Sequence, residues 1–385
     1  MQKNILKVYV FNPDHDLALA NGDENFFPPL SAQKFALDAQ LLPLQCFKDQ
    51  WVLNSDNFIV NSKGEFSNNF SEKIIFYPWG WNNAILKRLQ NLNLGSSLLP
   101  SKQDVDKIRQ LSHRKTAVEA MTYLQTRIKI KFPEIAQQLC SASEIENFTK
   151  NHNEVVFKAP WSGSGKGIII NIGKLNNINR NRCNKIIEKQ GSIIAEKKLD
   201  VVQNFAMEFR CENLKTDFFG YSLFNTTNCT YNENILLPDN KIEILLSKYT
   251  SIETLYAIQS SLKKFITKNI APFYSGYLGV DMFIYKEQEK YLLNPAVEIN
   301  LRMTMGIVSK LFYDLHIAVG SFGKMQIIHK NNNNELFKIY KKNQQNFPLE
   351  INNGKIVRGF TSLCPVSETT NYGIFIHVQN SKIDY

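Results

Sequence analysis

Tyr291–Gly306 reads Y-L-L-N-P-A-V-E-I-N-L-R-M-T-M-G. It opens apolar, as a buried strand does. It then sets Glu298, Asn300 and Arg302 on alternate positions. Residues two apart on a strand point to one face, so one face carries a carboxylate, an amide oxygen and a guanidinium. The two oxygens are hard ligands of the kind Mg²⁺ takes together with substrate phosphates. The guanidinium suits a phosphate or a developing anion. A solvated edge strand would alternate in the same way, so the stretch gains its meaning from its company.

That company is Glu154–Ile170, E-V-V-F-K-A-P-W-S-G-S-G-K-G-I-I-I. The pattern is strand, loop, strand. Gly163, Gly165 and Gly167 alternate, which lets backbone N–H groups close over an anion without side-chain interference. Gly167 stands where a Walker A loop needs Ser or Thr, and a β-branched strand follows where a Rossmann turn needs a helix. The reading that remains is a β-hairpin flap over phosphates with Lys158 beneath it. Its bland rival is a plain glycine hairpin with Lys158 exposed.

Upstream, residues 5–12 read as a strand, with Asp14, His15 and Asp16 in the loop at its carboxyl end. Ligands of open α/β sheets gather there, although a turn with Asx-type hydrogen bonds gives the same sequence. Residues 17–22 suggest a short helix closed by Gly22. A helix is expected over 31–42, strands over 50–60 and 73–77, and a helix over 82–92. Trp79 and Trp81 lie in a loop where they stack on a flat ligand or pack between layers. The run 95–104, small residues with a proline, marks a boundary. Helical pattern then covers 104–124 with a break near Leu111, Ser112 as N-cap, and Arg114 and Lys115 in the first turn, where positive charge opposes the helix dipole. Further on, 181–189 reads as a helix and 192–210 as two strands with a break. Residues 311–329 read as a helix and a short basic segment, 335–342 as a helix, and 355–363 and 372–379 as strands.

Composition sets the bounds. The 385 residues suffice for two or three modules, and 43% hydrophobic with 21% charged residues reads as an ordinary globular protein. No apolar run reaches the roughly 18 residues of a membrane span, and the N-terminus lacks a signal-peptide pattern, so a cytoplasmic location is expected. Six scattered cysteines without a C-x-x-C pair indicate neither a zinc site nor a disulfide framework. The net charge of +10 suits nucleic acid or an anion-handling site, but the basic residues are dispersed and no nucleic-acid motif accompanies them.

The order of elements is the telling feature: a cationic helix start, strand–Lys–glycine loop–strand, A-E-K-K-L, then G-Y-L-G-V-D-M-F-I (276–284) before V-E-I-N-L-R. Over about residues 101–310 this resembles the ATP-grasp superfamily. The resemblance implies an α+β fold in which two α+β modules clamp ATP, preceded by a small α/β N-terminal domain. The division expected is 1–100 for that domain, 101–194 for the lid with its glycine loop, and 195–385 for the module with the metal-binding strand.

Residue by residue, the resemblance puts Arg114 and Lys158 on the ATP phosphates and Ser162, Gly163, Ser164, Gly165, Lys166 and Gly167 in the mobile loop. Ala195, Glu196, Lys197 and Leu199 match the adenine hinge, with Asp200 or Gln203 toward the ribose. Asp281, Glu298 and Asn300 match the ligands of Mg²⁺ or Mn²⁺, and Arg302 matches an arginine on phosphate or the acyl intermediate. The interval from Asp281 to Glu298 is longer than the family's usual one, with Asn294 and Pro295 before the glutamate. The implied activity is an ATP-dependent carbon–nitrogen ligase that joins a small-molecule or peptide carboxylate to an amine or other nucleophile. A small-molecule kinase and a catalytically silent nucleotide binder are the alternatives. No membrane or nucleic-acid partner is expected, and a homo-oligomer is left open.

Overall fold

The computed structural model describes residues 5–380 apart from 48–49, 64, 68–72, 93, 95–96, 164, 228–229 and 333. Among the described residues the strands form three sheets.

The first sheet is built on Ile5–Val10. This strand pairs in parallel with Trp51–Leu53 and Lys73–Pro78, and the latter with Ser97–Leu98. Val8 and Val10 point into a core with Ile74, Phe76, Ile85 and Leu89, as the period-two pattern of a strand and the i, i+4 pattern of helix Asn83–Asn91 require. Two expectations change here. Residues 50–60 form a hairpin, Trp51–Leu53 against Ile59–Asn61, because Asn54 accepts the Phe58 N–H and Asn57 takes a left-handed φ of 64°. The helix expected over 31–42 ends at Asp38, and a separate turn, Pro43–Cys46, starts on its proline, the position proline favours.

The second sheet is antiparallel, in the order Gln137–Leu139, Ile193–Lys197, Glu154–Lys158, Ile168–Ile172. Helices Ala142–Asn151 and Asn177–Gln190 cover one side, packing Ile145, Phe148 and Cys183 onto Val155, Phe157 and Ile169.

The third sheet runs Lys290–Asn300, Gly276–Glu287, Asp200–Glu212, Lys215–Thr227, Thr230–Leu236, Ser321–His329, Tyr372–Asn380, Lys355–Ser362, Glu350–Asn352, with antiparallel neighbours. Helix Ile252–Asn269 starts on its cap Ser251 and presents Leu255, Ile258, Leu262 and Phe265 to it. Helix Lys115–Gln125 adds Ala117, Met121 and Leu124 to the same core. Within 311–329, the short basic segment expected after the helix is the strand Ser321–His329, paired on both edges. Neighbouring strands supply its order, which a polar-looking sequence does not announce.

The break near Leu111 separates helices Lys102–Leu111 and Lys115–Gln125. Ser112 is the C-cap of the first, not the N-cap of the second. Ser101 opens the first with a capping box to Asp104, and Arg114 itself occupies the N-cap position of the second, without a side-chain cap bond. Its guanidinium is thereby free to reach across the molecule. Among the described residues no helix is long and apolar enough to cross a membrane.

Candidate active site

Three layers meet where strand Lys290–Asn300 ends. Asp281 and Glu298 are direct cross-strand partners. The long interval between them is absorbed by a bulge: Pro295, Ala296 and Val297 lie against Met282 alone, between the pairs Asp281↔Glu298 and Phe283↔Asn294. A proline has no N–H for the ladder and is tolerated at such a bulge. The register that brings the two carboxylates together thus survives the extra residues.

Asn300 donates its amide N–H to Asp281 Oδ2 at 3.1 Å and accepts from Arg302 Nη2 at 3.0 Å. Partial burial and the facing Glu298 charge push Asp281 up to about 7. The facing Asp281 and Glu298 carboxylates are hard oxygen donors whose repulsion a divalent cation relieves, and Asn300, whose amide oxygen faces Arg302 here, lies beside them. The residues therefore fit Mg²⁺ or Mn²⁺.

Arg114 is buried (6% exposed). Its Nη2 donates to both oxygens of Glu298 at 2.9 Å. Its other donors hold the start of the glycine loop: Nη1 to Ser162 Oγ at 2.8 Å and to the Ala159 carbonyl, Nη2 to the Ser162 carbonyl at 3.1 Å. Lys158 is buried too (7% exposed), on the strand under that loop, and pairs with Glu196 Oε1 at 2.5 Å. Arg114, Lys158, Glu196, Lys197 and Leu199 line one cleft. Its walls are apolar: Ala117, Met121, Ala296 and Val297 from the helix and strand packed on each other, and Ile194 from the second sheet. The spacing 114–117–121 puts those residues on one helix face, a signal present in the sequence. Val297 alternates with Glu298 across the strand.

Within the loop, Gly165 and Gly167 take left-handed φ values of 74° and 77°, which favour glycine. The Gly167 carbonyl accepts from Ala159 N at 2.9 Å. Lys166 is exposed. Ser164 lies outside the described residues. A methyl on Gly163 would collide with the Asp16 carboxylate, so the loop lies directly on the N-terminal layer. Asp200 is exposed, and Gln203 donates to the Asn204 carbonyl. Neither lines the cleft.

A second recess joins His15, Asp16 and Ser162 to Glu298, Asn300 and Arg302. Asp16 takes a two-point ion pair from Arg302. Burial would raise Asp16, but the Arg302 charge and hydrogen bonds outweigh it and hold the carboxylate below its usual range. His15 is buried against Gly80, takes a hydrogen bond from Asn82 Nδ2 at 3.3 Å, and is pushed down to about 4 by burial, so it is neutral at pH 7. Asn12 ties the two loops together by donating to the Gly80 carbonyl at 2.9 Å. Asp14 lies apart from this recess. Burial raises it, and the Arg88 charge opposes that.

Sequence reasoning missed Glu208. It is 1% exposed, accepts from Thr304 Oγ1 at 3.1 Å, and leaves Oε2 without a partner. Burial and then the Asp281 charge push it up to about 8. Its period-two position in strand Asp200–Glu212 gives it the look of any surface glutamate.

No protein-family model matches the chain, and no curated protein matches it in sequence. Solved structures do. N5-carboxyaminoimidazole synthase from Aspergillus clavatus, in complex with ADP and 5-aminoimidazole ribonucleotide, matches with a TM-score of 0.52 at 11% identity, over 99% of this chain and 95% of that one. An ADP complex of N5-carboxyaminoimidazole ribonucleotide synthetase gives 0.50 at 12% identity, over 98% and 93%. Biotin carboxylase from Campylobacter jejuni, in an ATP complex, gives 0.50 at 11% identity, over 80% and 71%. The chain has the ATP-grasp fold, as its motifs led one to expect.

Proposed function

We propose that the protein is an ATP-dependent ligase that activates a small-molecule or peptide carboxylate as an acyl phosphate for capture by an amine or other nucleophile. The observation that carries this reading is the convergence of Lys158, Arg114, Asp281, Glu298, Asn300 and Arg302 from three layers onto one strand end. The fold and the nucleotide-bound neighbours support it.

In this reading the apolar walls take the adenine ring, and the backbone of Lys197 and Leu199 reads its edge. Lys158 and Arg114 hold phosphate oxygens by charge-assisted hydrogen bonds. Asp281, Glu298 and Asn300 would hold a divalent cation, which would neutralise charge on the transferring phosphoryl group. A substrate carboxylate oxygen bonds to the γ-phosphorus as the bond to ADP breaks. The nucleophile then bonds to the acyl carbon as phosphate leaves. Arg302, oriented by Asp16, faces the charge that develops. The glycine loop, seated on Asp16, excludes water from an acyl phosphate that would otherwise hydrolyse. Sheet pairing supports a lid module that runs to Lys197 rather than 194, because Ile193–Lys197 pairs with the lid strands.

The test is a screen of amino acids, peptides and small carboxylic acids for ADP and phosphate release. Release that needs both a carboxylate and a nucleophile supports a ligase. A stable phosphorylated product from one substrate replaces it with a kinase, and no turnover with intact nucleotide binding leaves a silent binder.

A further inference from the structure

The most spacious cleft described lies elsewhere. It encloses about 410 Å³ between the first sheet and the far ends of strands Asp200–Glu212 and Gly276–Glu287, within the range of small-molecule sites. It shares no lining residue with the nucleotide cleft.

One face of the first sheet is left bare toward it. Val8 and Val10 face their own core, and Lys7 and Tyr9 point the other way. Phe47 stacks on Tyr9 with centroids 4.2 Å apart and planes 13° from parallel, and Tyr9 on Tyr77 at 5.2 Å and 25°. The result is a column of near-parallel rings, Phe47–Tyr9–Tyr77 with Tyr9 in the middle, on a sheet face that another layer would normally cover. Tyr277 closes the opposite side, 6.3 Å from Phe47.

Hydrogen-bond donors gather at this column. The hydroxyls of Tyr9, Tyr77 and Tyr277 make no hydrogen bond among the described residues, and each lies within the field of the Arg210 guanidinium, opposed at Tyr77 and Tyr277 by the Glu212 carboxylate. Arg210 packs over the Tyr277 ring at 5.6 Å, and its ionic partner is Glu212 at 3.0 Å, both half exposed. Lys7 makes no ion pair among the described residues. A wall of aromatic edges next to unspent donors and surplus positive charge matches one ligand chemistry: a planar ring packed edge-to-face against that wall, bearing an oxyanion that a guanidinium and phenols hold.

We infer that this cleft binds a small planar-ring compound carrying a carboxylate or phosphate, with its ring edge-to-face against the Phe47–Tyr9–Tyr77 column and its anion at Arg210. The cleft opens beside the reaction centre: Met303 in its wall directly follows Arg302, and Met303 N donates to the Trp79 carbonyl at 2.8 Å. The inference rests on these residues and not on the ligase reading.

The experiment uses the full chain without nucleotide, read by tryptophan fluorescence, since Trp79 and Trp81 line the cleft, and by calorimetry. The probes are benzoate, indole-3-acetate and phenyl phosphate, with cyclohexanecarboxylate and acetate as non-planar and ringless controls. We expect saturable binding of a planar-ring anion at least tenfold tighter than either control, and the carboxylate and phosphate arms say which oxyanion is preferred. Arg210→Gln and Tyr9→Ala should each weaken it at least tenfold. Tyr277→Phe, which keeps the ring and the packing, should weaken it severalfold. All three should bind a non-hydrolysable ATP analogue as wild type does. If no planar-ring anion saturates, or if all three variants bind it unchanged, the inference is overturned. Ring binding without ATP-analogue binding sinks the ligase reading alone, and the converse sinks this one alone.

Discussion

Asp16 and Arg302 stand 286 positions apart and meet through two parallel hydrogen bonds, Nε to Oδ1 at 3.0 Å and Nη2 to Oδ2 at 2.9 Å. A planar fork on a planar carboxylate fixes the guanidinium in one orientation, and Arg302 Nη2 also reaches Asn300 Oδ1. Asp16→Asn should therefore lower turnover by about 10- to 100-fold through misplacement of Arg302, with the affinity for an ATP analogue unchanged. Arg302→Lys keeps the charge, loses the fork and should cost a similar factor. Steady-state kinetics of the two single variants and the double variant check this: additive losses would mean that the pair does not act as a unit.

Lys158→Ala removes a buried cation from the cleft. Affinity for a non-hydrolysable ATP analogue should fall by roughly 1.5–3 kcal/mol, the worth of a charge-assisted contact. Isothermal titration decides it, and unchanged affinity would take Lys158 off the phosphates.

Glu298→Gln keeps shape and removes charge. The fold should be kept but less stable, because glutamine holds the shape while leaving the buried Arg114 guanidinium without its ionic partner. ADP release should drop by about 10²–10³-fold or more, and its midpoint in a Mg²⁺ titration should move to higher concentration. A variant with wild-type plateau and midpoint would remove this strand from the chemistry.

Gly163→Ala drives a methyl into the Asp16 carboxylate. That carboxylate is the end of a short side chain, but Arg302 pins it, so the loop must lift instead. Turnover should fall by about tenfold or more as the loop loses its seat, with faster proteolytic cleavage near the loop. Equal protease resistance and equal turnover would mean that the loop does not close on Asp16.

Glu208 gives a pH signature. Its folded-state value, about 8, lies above the ordinary 4.5, so the fold prefers the protonated acid. The stability this contributes is complete below about pH 4.5 and is lost as pH rises through 8, on the order of a few kcal/mol in all. Glu208→Gln has no proton to lose. From pH 6 to pH 9 the wild-type Tm should fall by several degrees more than the variant's. Parallel curves would show that Glu208 does not titrate there.

The sequence made the strand ends, the glycine loop and the order of modules readable, because local chemistry carries them: alternation around Glu298, alternating glycines, Lys158 inside an apolar run. It could not show Arg114 reaching Glu298, since its pattern puts the helix start at Ser112 and the contact spans 184 positions. Nor could it show Asp16 on Arg302 or the Phe47–Tyr9–Tyr77 column, which exist only through packing of segments distant in sequence. The Asn294–Pro295 insertion looked like a slip of register, but a bulge takes up the surplus and leaves Asp281 opposite Glu298. Asp200 and Gln203, expected toward the ribose, do not line the cleft: Asp200 is exposed and Gln203 donates to the Asn204 carbonyl.

Arg114 and Glu298 occupy each other in this structure. A polyphosphate asks for the arginine and a cation asks for the glutamate, so each newcomer opens the same pair. Either one arriving alone strands a charge in a partly buried place, which is costly. Both together strand none. Cation and nucleotide should thus recruit each other, and the site should load as a unit, with its half-filled forms thinly populated. Nucleotide-analogue binding as tight without Mg²⁺ as with it would show that the pair never has to open.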